Sequence, residues 1–136
     1  MSRSLSPPAS EYLESIAKWF TTAEVKEVVV EDQNMSDSKM FKCVDMARFN
    51  ILEPLLSELK LKSAGFTLWR VSGNITIEKK KGLDNLFFPL SIDENGIEVG
   101  GTKLMRHDFM RLTSDQPWSG DLDFLLVVIP EGKKIT

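Results

Sequence analysis

The stretch Leu122–Ile129 constrains the fold more than any other part of the sequence. It is apolar apart from Asp123, it is rich in β-branched residues, and it is bounded by Pro130 and Gly132. This is the length of a strand rather than of a helix, and apolar side chains at successive positions lie on both faces of an extended chain. The stretch therefore predicts a central β-strand that is buried on both sides.

Two more stretches, Phe66–Val71 and Asn74–Lys79, are strand-like and are separated by Ser72 and Gly73. A two-residue loop that contains glycine is typical of a β-hairpin. In the second stretch isoleucine alternates with polar residues, which indicates one buried and one solvated face. We therefore predict that these two strands pair with each other.

A second hairpin is predicted from Leu86–Ile92 and Ile97–Val99, which flank turn-forming residues at positions 93–96. Pro89 lies inside the first of these strands. Because proline cannot donate a hydrogen bond to a neighbouring strand, Pro89 predicts an edge position or a bulge.

The following stretch, Thr102–Leu112, starts with a residue that can cap a helix and has apolar residues at helical spacing, which favours a short helix.

The N-terminal part of the chain predicts a helix and a strand. Ser10–Thr21 begins with Ser10, a residue type that caps helices, and continues with one apolar stripe. Residues 1–9 are rich in serine and proline and are predicted to form a flexible segment ahead of a single domain over residues 10–136. Val25–Glu31 contains three consecutive valines and predicts a strand, followed by a polar loop up to Ser38.

The stretch Lys39–Asn50 has two interpretations, a helix or a strand paired with the valine run, and its periodicity does not separate them. From Phe49 onward an apolar helical face that includes Leu52 is favoured. Pro54 is tolerated only near the first turn of a helix, which predicts that a new helix begins around Leu52. Gly65 lies where a C-terminal helix cap is expected.

These elements together predict an α+β fold. In it, an antiparallel β-sheet with hairpins in the C-terminal half packs against an N-terminal helix and a second helical segment. A chain of 136 residues, 42% of them hydrophobic, can bury such a core without a disulfide or a structural metal.

The net charge of −3 is spread unevenly along the chain. Residues 37–81 contain nine basic and five acidic residues, whereas residues 82–131 contain three basic and nine acidic ones. Opposed charges allow self-association or binding of a charged partner, unless folding interleaves the two segments into a mixed surface.

The sequence contains neither an apolar run of the ~18 residues that span a membrane nor the apolar region of a secretory signal at its N-terminus. A single cysteine excludes an intramolecular disulfide. These features lead us to expect a cytoplasmic protein.

Motifs for phosphate binding, serine or zinc hydrolysis and CxxC redox chemistry are absent from the sequence. The chain has one histidine, His107, and one cysteine, Cys43. We therefore predict no catalytic residues, no cofactor and no metal ligand, and we do not expect an enzyme. The alternative is an unfamiliar active site in which carboxylates surround His107.

A lysine run closes the second strand of the first predicted hairpin, and more basic residues precede and lie on that hairpin, where Arg70 adjoins Trp69. Basic residues interleaved with aromatics can bind RNA or an acidic membrane surface. The alternative is that the lysines are solvated and protect a strand edge from association. The candidate anion-binding residues are Lys60, Lys62, Arg70, Lys79, Lys80 and Lys81.

The candidate partner-binding residues are Trp118, Asp121 and Asp123. Trp118 lies in a Pro-Trp-Ser-Gly loop, and tryptophan is enriched at interface hot spots, although its ring could instead fold back over the core. Asp121 and Asp123 share one face of the predicted strand. We expect a non-enzymatic interaction or assembly protein, of viral, phage or effector accessory type, that binds a protein partner or a second copy of itself.

Overall fold

The structure, a computed structural model, describes residues 2–28 and 38–131. Over these ranges the chain forms two helices, α1 (Pro7–Phe20) and α2 (Arg48–Glu58), and eleven strands. The strands are β1 (Ser2–Ser4), β2 (Val25–Val28), β3 (Lys39–Cys43), β4 (Gly65–Ser72), β5 (Asn74–Ile77), β6 (Leu83–Pro89), β7 (Ile97–Val99), β8 (Thr102–Leu104), β9 (Asp108–Leu112), β10 (Gln116–Ser119) and β11 (Leu122–Pro130). The predicted α+β fold is confirmed.

Seven strands form one antiparallel sheet in the order β1-β9-β6-β11-β4-β3-β2, with β11 at its centre. Leu125 and Val127 of β11 face the helices, whereas Phe124 and Leu126 face the opposite side of the sheet. All four side chains are buried. The central strand buried on both faces is therefore confirmed.

Two hydrophobic clusters lie on the two faces of this sheet. The first is closed by α1 and α2, which contact each other. The second is closed by two small sheets, β5 with β10 and β7 with β8. The result is a central sheet covered by helices on one face and by short β-ribbons on the other.

Helix α1 begins three residues earlier than predicted. Ser6, not Ser10, is its N-cap, and the Ser6 hydroxyl accepts a hydrogen bond from the amide of Ala9 at 3.4 Å. Pro7 and Pro8 occupy the first two helical positions, where a missing N–H costs nothing because that group has no helical partner. Residues 2–9, predicted to form a flexible segment, contribute β1 and the first part of α1.

The ambiguous stretch Lys39–Asn50 is divided between both interpretations. Lys39–Cys43 is a strand that pairs with β2, and α2 begins at Arg48. The prediction that a helix starts around Leu52 is wrong, because Pro54 lies inside α2. Proline there removes one helical hydrogen bond, and the burial of leucines on the inner face of α2 offsets the loss.

Gly65 does not cap α2, because it already belongs to β4. Lys60 takes the left-handed conformation after the helix, with a φ of 59°. Its amide donates to the carbonyl of Ser57 at 3.0 Å, and the amide of Leu61 donates to the carbonyl of Leu56 at 2.7 Å. This pair of hydrogen bonds is a Schellman motif, which ends the helix with a lysine where glycine is usual.

The hairpin predicted around Ser72 and Gly73 does not form, because β4 pairs with β11 and β5 pairs with β10. Both pairings keep the same register, so the two strand pairs are one continuous ribbon interrupted at Gly73 and Gly120. The amide of Gly120 donates to the carbonyl of Gly73 at 2.9 Å, and both glycines have positive φ. The ribbon bends at this glycine pair and lays Ile75 over the second cluster.

The second predicted hairpin and the helix at Thr102–Leu112 are also wrong. β6 pairs with β11 and β9, whereas β7 pairs with β8 across a glycine turn. Thr102–Leu112 forms β8 and β9. The apolar residues at helical spacing lie on opposite faces of the main sheet, with Phe109 on the face covered by the helices and Leu112 on the face covered by the β-ribbons. Phe87 is the last β6 residue that pairs with β9. Pro89 lies beyond this pairing, so β9 requires no hydrogen bond from the N–H group that proline lacks.

The valine strand is described up to Val28, where β2 forms one edge of the main sheet. The rest of that predicted strand and almost all of the predicted loop up to Ser38 lie outside the described residues.

Candidate binding groove

The six predicted anion-binding residues fall into two groups in the fold. Arg70 lies near the end of β4, where its Nε donates to Oδ1 of Asp123 at 3.0 Å. Its Nη2 also donates to the carbonyl of Phe20 at 2.9 Å, and its guanidinium lies 4.8 Å from the centre of the Phe20 ring. Arg70 is therefore committed to internal contacts and separated from the lysines.

The five lysines lie at the opposite end of the sheet, where β4 and β6 begin. The register shows this, because Gly65 of β4 and Leu83 of β6 pair with Val128 and Pro130, close together at the end of β11. Two exposed acidic residues, Glu58 and Glu78, adjoin the lysines in sequence, and the carboxylate of Asp115 accepts a hydrogen bond from the backbone amide of Lys79. The mixed charge weakens the case for an anionic polymer.

The structure does not gather the predicted partner-binding residues into one exposed patch. Trp118 is half-buried, packs against the second cluster, and donates from its Nε1 to the carbonyl of Gly120 at 3.1 Å. This geometry supports the interpretation that its ring folds back over the core. Asp123 is paired with Arg70, and Asp121 is exposed on the bend between β10 and β11.

His107 does have a carboxylate neighbour. Oε1 of Glu14 lies 2.7 Å from His107 Nε2, and Arg106 donates to both Glu14 oxygens at 2.6 and 2.8 Å beside a small cleft of about 130 Å³. The hydrogen bonds from Arg106, with help from His107 and against partial burial, lower the pKa of Glu14 to about 2. A carboxylate this acidic is a poor proton acceptor at neutral pH, so the geometry supports a structural ion pair between α1 and the β8–β9 turn.

The second reactive side chain, Cys43, is buried at the end of β3, and burial raises the pKa of its thiol. A protonated thiol is a weak nucleophile. Among residues 2–28 and 38–131, no three histidine, cysteine, aspartate or glutamate side chains are grouped closely enough to hold a metal ion.

A concave surface of substantial volume lies where α2 meets the start of β4, and we call it the α2–β4 groove. It encloses about 560 Å³ and is open to solvent. The side chains that line it are Arg48, Phe49, Glu53, Leu56, Lys62, Ala64 and Phe66, with the backbone of Gly65.

Phe49 is the prominent apolar side chain of this groove. It is 50% exposed, in contrast to the prediction that it shares the buried face of Leu52. The ring of Phe66 meets it edge to face at 5.8 Å, and the guanidinium of Arg48 lies 4.3 Å from its centre. These contacts hold the ring in place while leaving half of it in water.

Sequence reasoning did not find this groove, because Phe49 and Phe66 come from separate elements and their contact depends on how α2 packs. The signal that was available is the pair of basic residues, Arg48 and Lys62, which flank the helix in sequence.

A shallower depression of about 380 Å³ adjoins the groove and shares Lys62 with it. It is lined by Ser57, Lys60, Lys62 and Ser63. Within the part of the chain that the structure describes, none of these four side chains makes a hydrogen bond or an ion pair. The depression is therefore lined by two lysines and two serines whose side chains have no partner among the described residues.

No protein-family model, curated protein or solved structure matches this chain, so the comparisons assign neither a family nor an activity. Neither α1 nor α2 is long and apolar enough to cross a membrane.

Proposed function

We propose that this protein is a non-enzymatic interaction protein that binds a partner protein in the α2–β4 groove. The occupant is a segment of the partner that carries an apolar side chain next to acidic residues. The half-exposed ring of Phe49, held between Arg48 and Phe66 in this groove, is the observation that carries the proposal.

The composition of the groove supports a protein segment as its occupant. Phe49 and Phe66 offer an apolar contact surface already fixed by their mutual contact, so little conformational freedom is lost on binding. Two cations line the groove, Lys62 near the start of β4 and Arg48 on α2, and both attract a carboxylate, whereas Glu53 on α2 repels one. The acidic residues of a partner segment would therefore lie near Lys62 or Arg48 and away from Glu53.

The alternative function, binding of RNA or an acidic membrane, is less well supported. One face of the Phe49 ring is covered by Arg48, so stacking of a base on that face would require Arg48 to move. Arg70 is paired with Asp123, and the exposed acidic residues Glu58 and Glu78 adjoin the remaining lysines in sequence. We propose that the protein acts in the cytoplasm as an accessory protein of viral, phage or effector type.

Selection of random twelve-residue peptides displayed on phage against the immobilised full chain tests the proposal. We expect the selected peptides to share an aromatic or aliphatic residue flanked by Asp or Glu. The immobilised Phe49→Ala variant should retain about tenfold less of these peptides than the unaltered chain does, or less still, as expected when a central apolar anchor is removed.

The matched control is Tyr12→Ala, which removes an exposed aromatic of α1 outside the groove and should retain the peptides fully. Thermal unfolding of each variant checks that it is folded. If peptides bind the Phe49→Ala variant as well as the unaltered chain, the groove is not the binding site and the proposal fails.

A further inference from the structure

The depression beside the groove differs from the groove in its chemistry. The groove offers aromatic surface, whereas the depression offers Lys60, Lys62 and the hydroxyls of Ser57 and Ser63. Lys62 lines both, so one bound segment can occupy both at once.

The backbone fixes the positions from which these groups project. The Schellman motif at the end of α2 holds Lys60 at a φ of 59°, with its amide on the carbonyl of Ser57. The next turn is held by the amide of Ala64, which donates to the carbonyl of Leu61 at 3.0 Å. Hydrogen bonds on both sides of Lys60 and Lys62 therefore brace the loop that carries them, which lowers the entropy lost on binding.

The donor set matches a tetrahedral dianion better than a single carboxylate. A phosphate monoester carries a charge of about −1.5 to −2 at neutral pH and has three terminal oxygens that accept hydrogen bonds. Two ammonium groups neutralise that charge, and two hydroxyls can donate to the remaining oxygens. A carboxylate has two oxygens and one charge, and it would leave part of this set unused.

We propose that the depression is a phosphate-monoester site, and that the partner segment in the α2–β4 groove carries a phosphorylated serine or threonine seated at Lys60 and Lys62. This inference rests on the proposed function, because the apolar anchor of the same segment contacts Phe49. On the α2 side the groove offers a phosphate one cation, Arg48, next to the carboxylate of Glu53, whereas the depression offers two lysines, so the phosphate is favoured at the depression.

The test compares two fluorescent peptide libraries of seven random positions around a central residue, one with phosphoserine and one with serine. Retention on the immobilised full chain should be about tenfold higher for the phosphoserine library. The Lys60→Ala/Lys62→Ala variant should abolish this difference. Phe49→Ala should lower retention of both libraries without removing the difference.

The matched control is Lys18→Ala/Lys103→Ala, which removes the same charge from exposed positions outside both surfaces and should keep the preference for phosphoserine. Vesicles with acidic lipid and a single-stranded RNA oligonucleotide form two further arms. Equal retention of the two libraries, an unchanged preference in Lys60→Ala/Lys62→Ala, or binding only to vesicles or RNA would overturn the inference. Equal retention that still depends on Phe49 would overturn the phosphate site alone and leave the groove intact.

Discussion

The guanidinium of Arg70 and the carboxylate of Asp123 face each other across β4 and β11, with Nε and Oδ1 3.0 Å apart. The same guanidinium donates to the carbonyl of Phe20 at the last residue of α1. Asp123 is held in turn, because its amide donates to the hydroxyl of Ser91 at 2.8 Å. Two residues that the sequence placed in different binding sites thus dock the end of α1 onto the sheet.

We expect Asp123→Asn and Arg70→Met each to lower the free energy of unfolding by about 1 kcal/mol, as is usual when one charge-assisted hydrogen bond at a half-buried site is removed. Urea denaturation of both single variants and the double variant measures the coupling between the two side chains. Lys26→Met, an exposed change on β2, is the control. Strictly additive losses would show that the pair does not couple.

The ion pair of Glu14 predicts a dependence of stability on acid. The folded-state pKa of Glu14 is about 2, below its ordinary value of 4.5, so the carboxylate stabilises the fold above pH 4.5. That contribution is lost as the pH falls from 4.5 towards 2. Because the pair is solvent-screened, we expect Glu14→Gln to cost about 1 kcal/mol at pH 7.

Chemical denaturation at several pH values between 7 and 2 measures this effect. The difference between the unaltered chain and Glu14→Gln should shrink as the pH falls and vanish near pH 2. Glu94→Gln, in an exposed turn, is the matched control variant. A difference that stays constant down to pH 2 would mean that Glu14 does not stabilise the fold through its charge.

The bend at Gly120 is expected to require glycine. Its φ of 116° is a conformation that a residue with a Cβ rarely adopts, although the space around it is open. Gly120→Ala should therefore lower the free energy of unfolding by about 1–3 kcal/mol through backbone strain alone. Gly65→Ala is the control, because its surroundings are equally open and its φ lies outside the left-handed region. Similar stabilities for both variants would show that the bend relaxes.

The elements that the sequence predicted well depend on local patterns. In β11 the apolar residues are consecutive, and in α1 they recur at helical spacing, so the sequence of each element alone indicates which side chains are buried. The two predicted hairpins were wrong because a turn signal such as Ser72-Gly73 indicates a change of direction but does not determine which strand is the partner. That partner was set by Gly120, which lies far along the chain but directly opposite Gly73 in the ribbon.

The candidate site was predictable only in part. Lys60 and Lys62 were picked out by charge, and the structure places them beside a concave surface. Phe49 was assigned to the buried face of a helix, because its spacing from Leu52 fits one apolar stripe. Its exposure follows from the orientation of α2 against the sheet, a tertiary property that no local pattern encodes.

Lys60 offers a way to separate stability from binding. A non-glycine residue at a φ of 59° is strained, so Lys60→Gly should raise the free energy of unfolding by about 0.5–1 kcal/mol. The same change removes one ammonium group of the proposed phosphate site and should reduce the retention of phosphoserine peptides. Lys60→Asn, which also tolerates this conformation and lacks the charge, should lose retention to the same degree. Denaturation and peptide retention, measured on both variants, check the two effects. If the Lys60→Gly variant is more stable but retains phosphoserine peptides fully, Lys60 does not belong to the phosphate site.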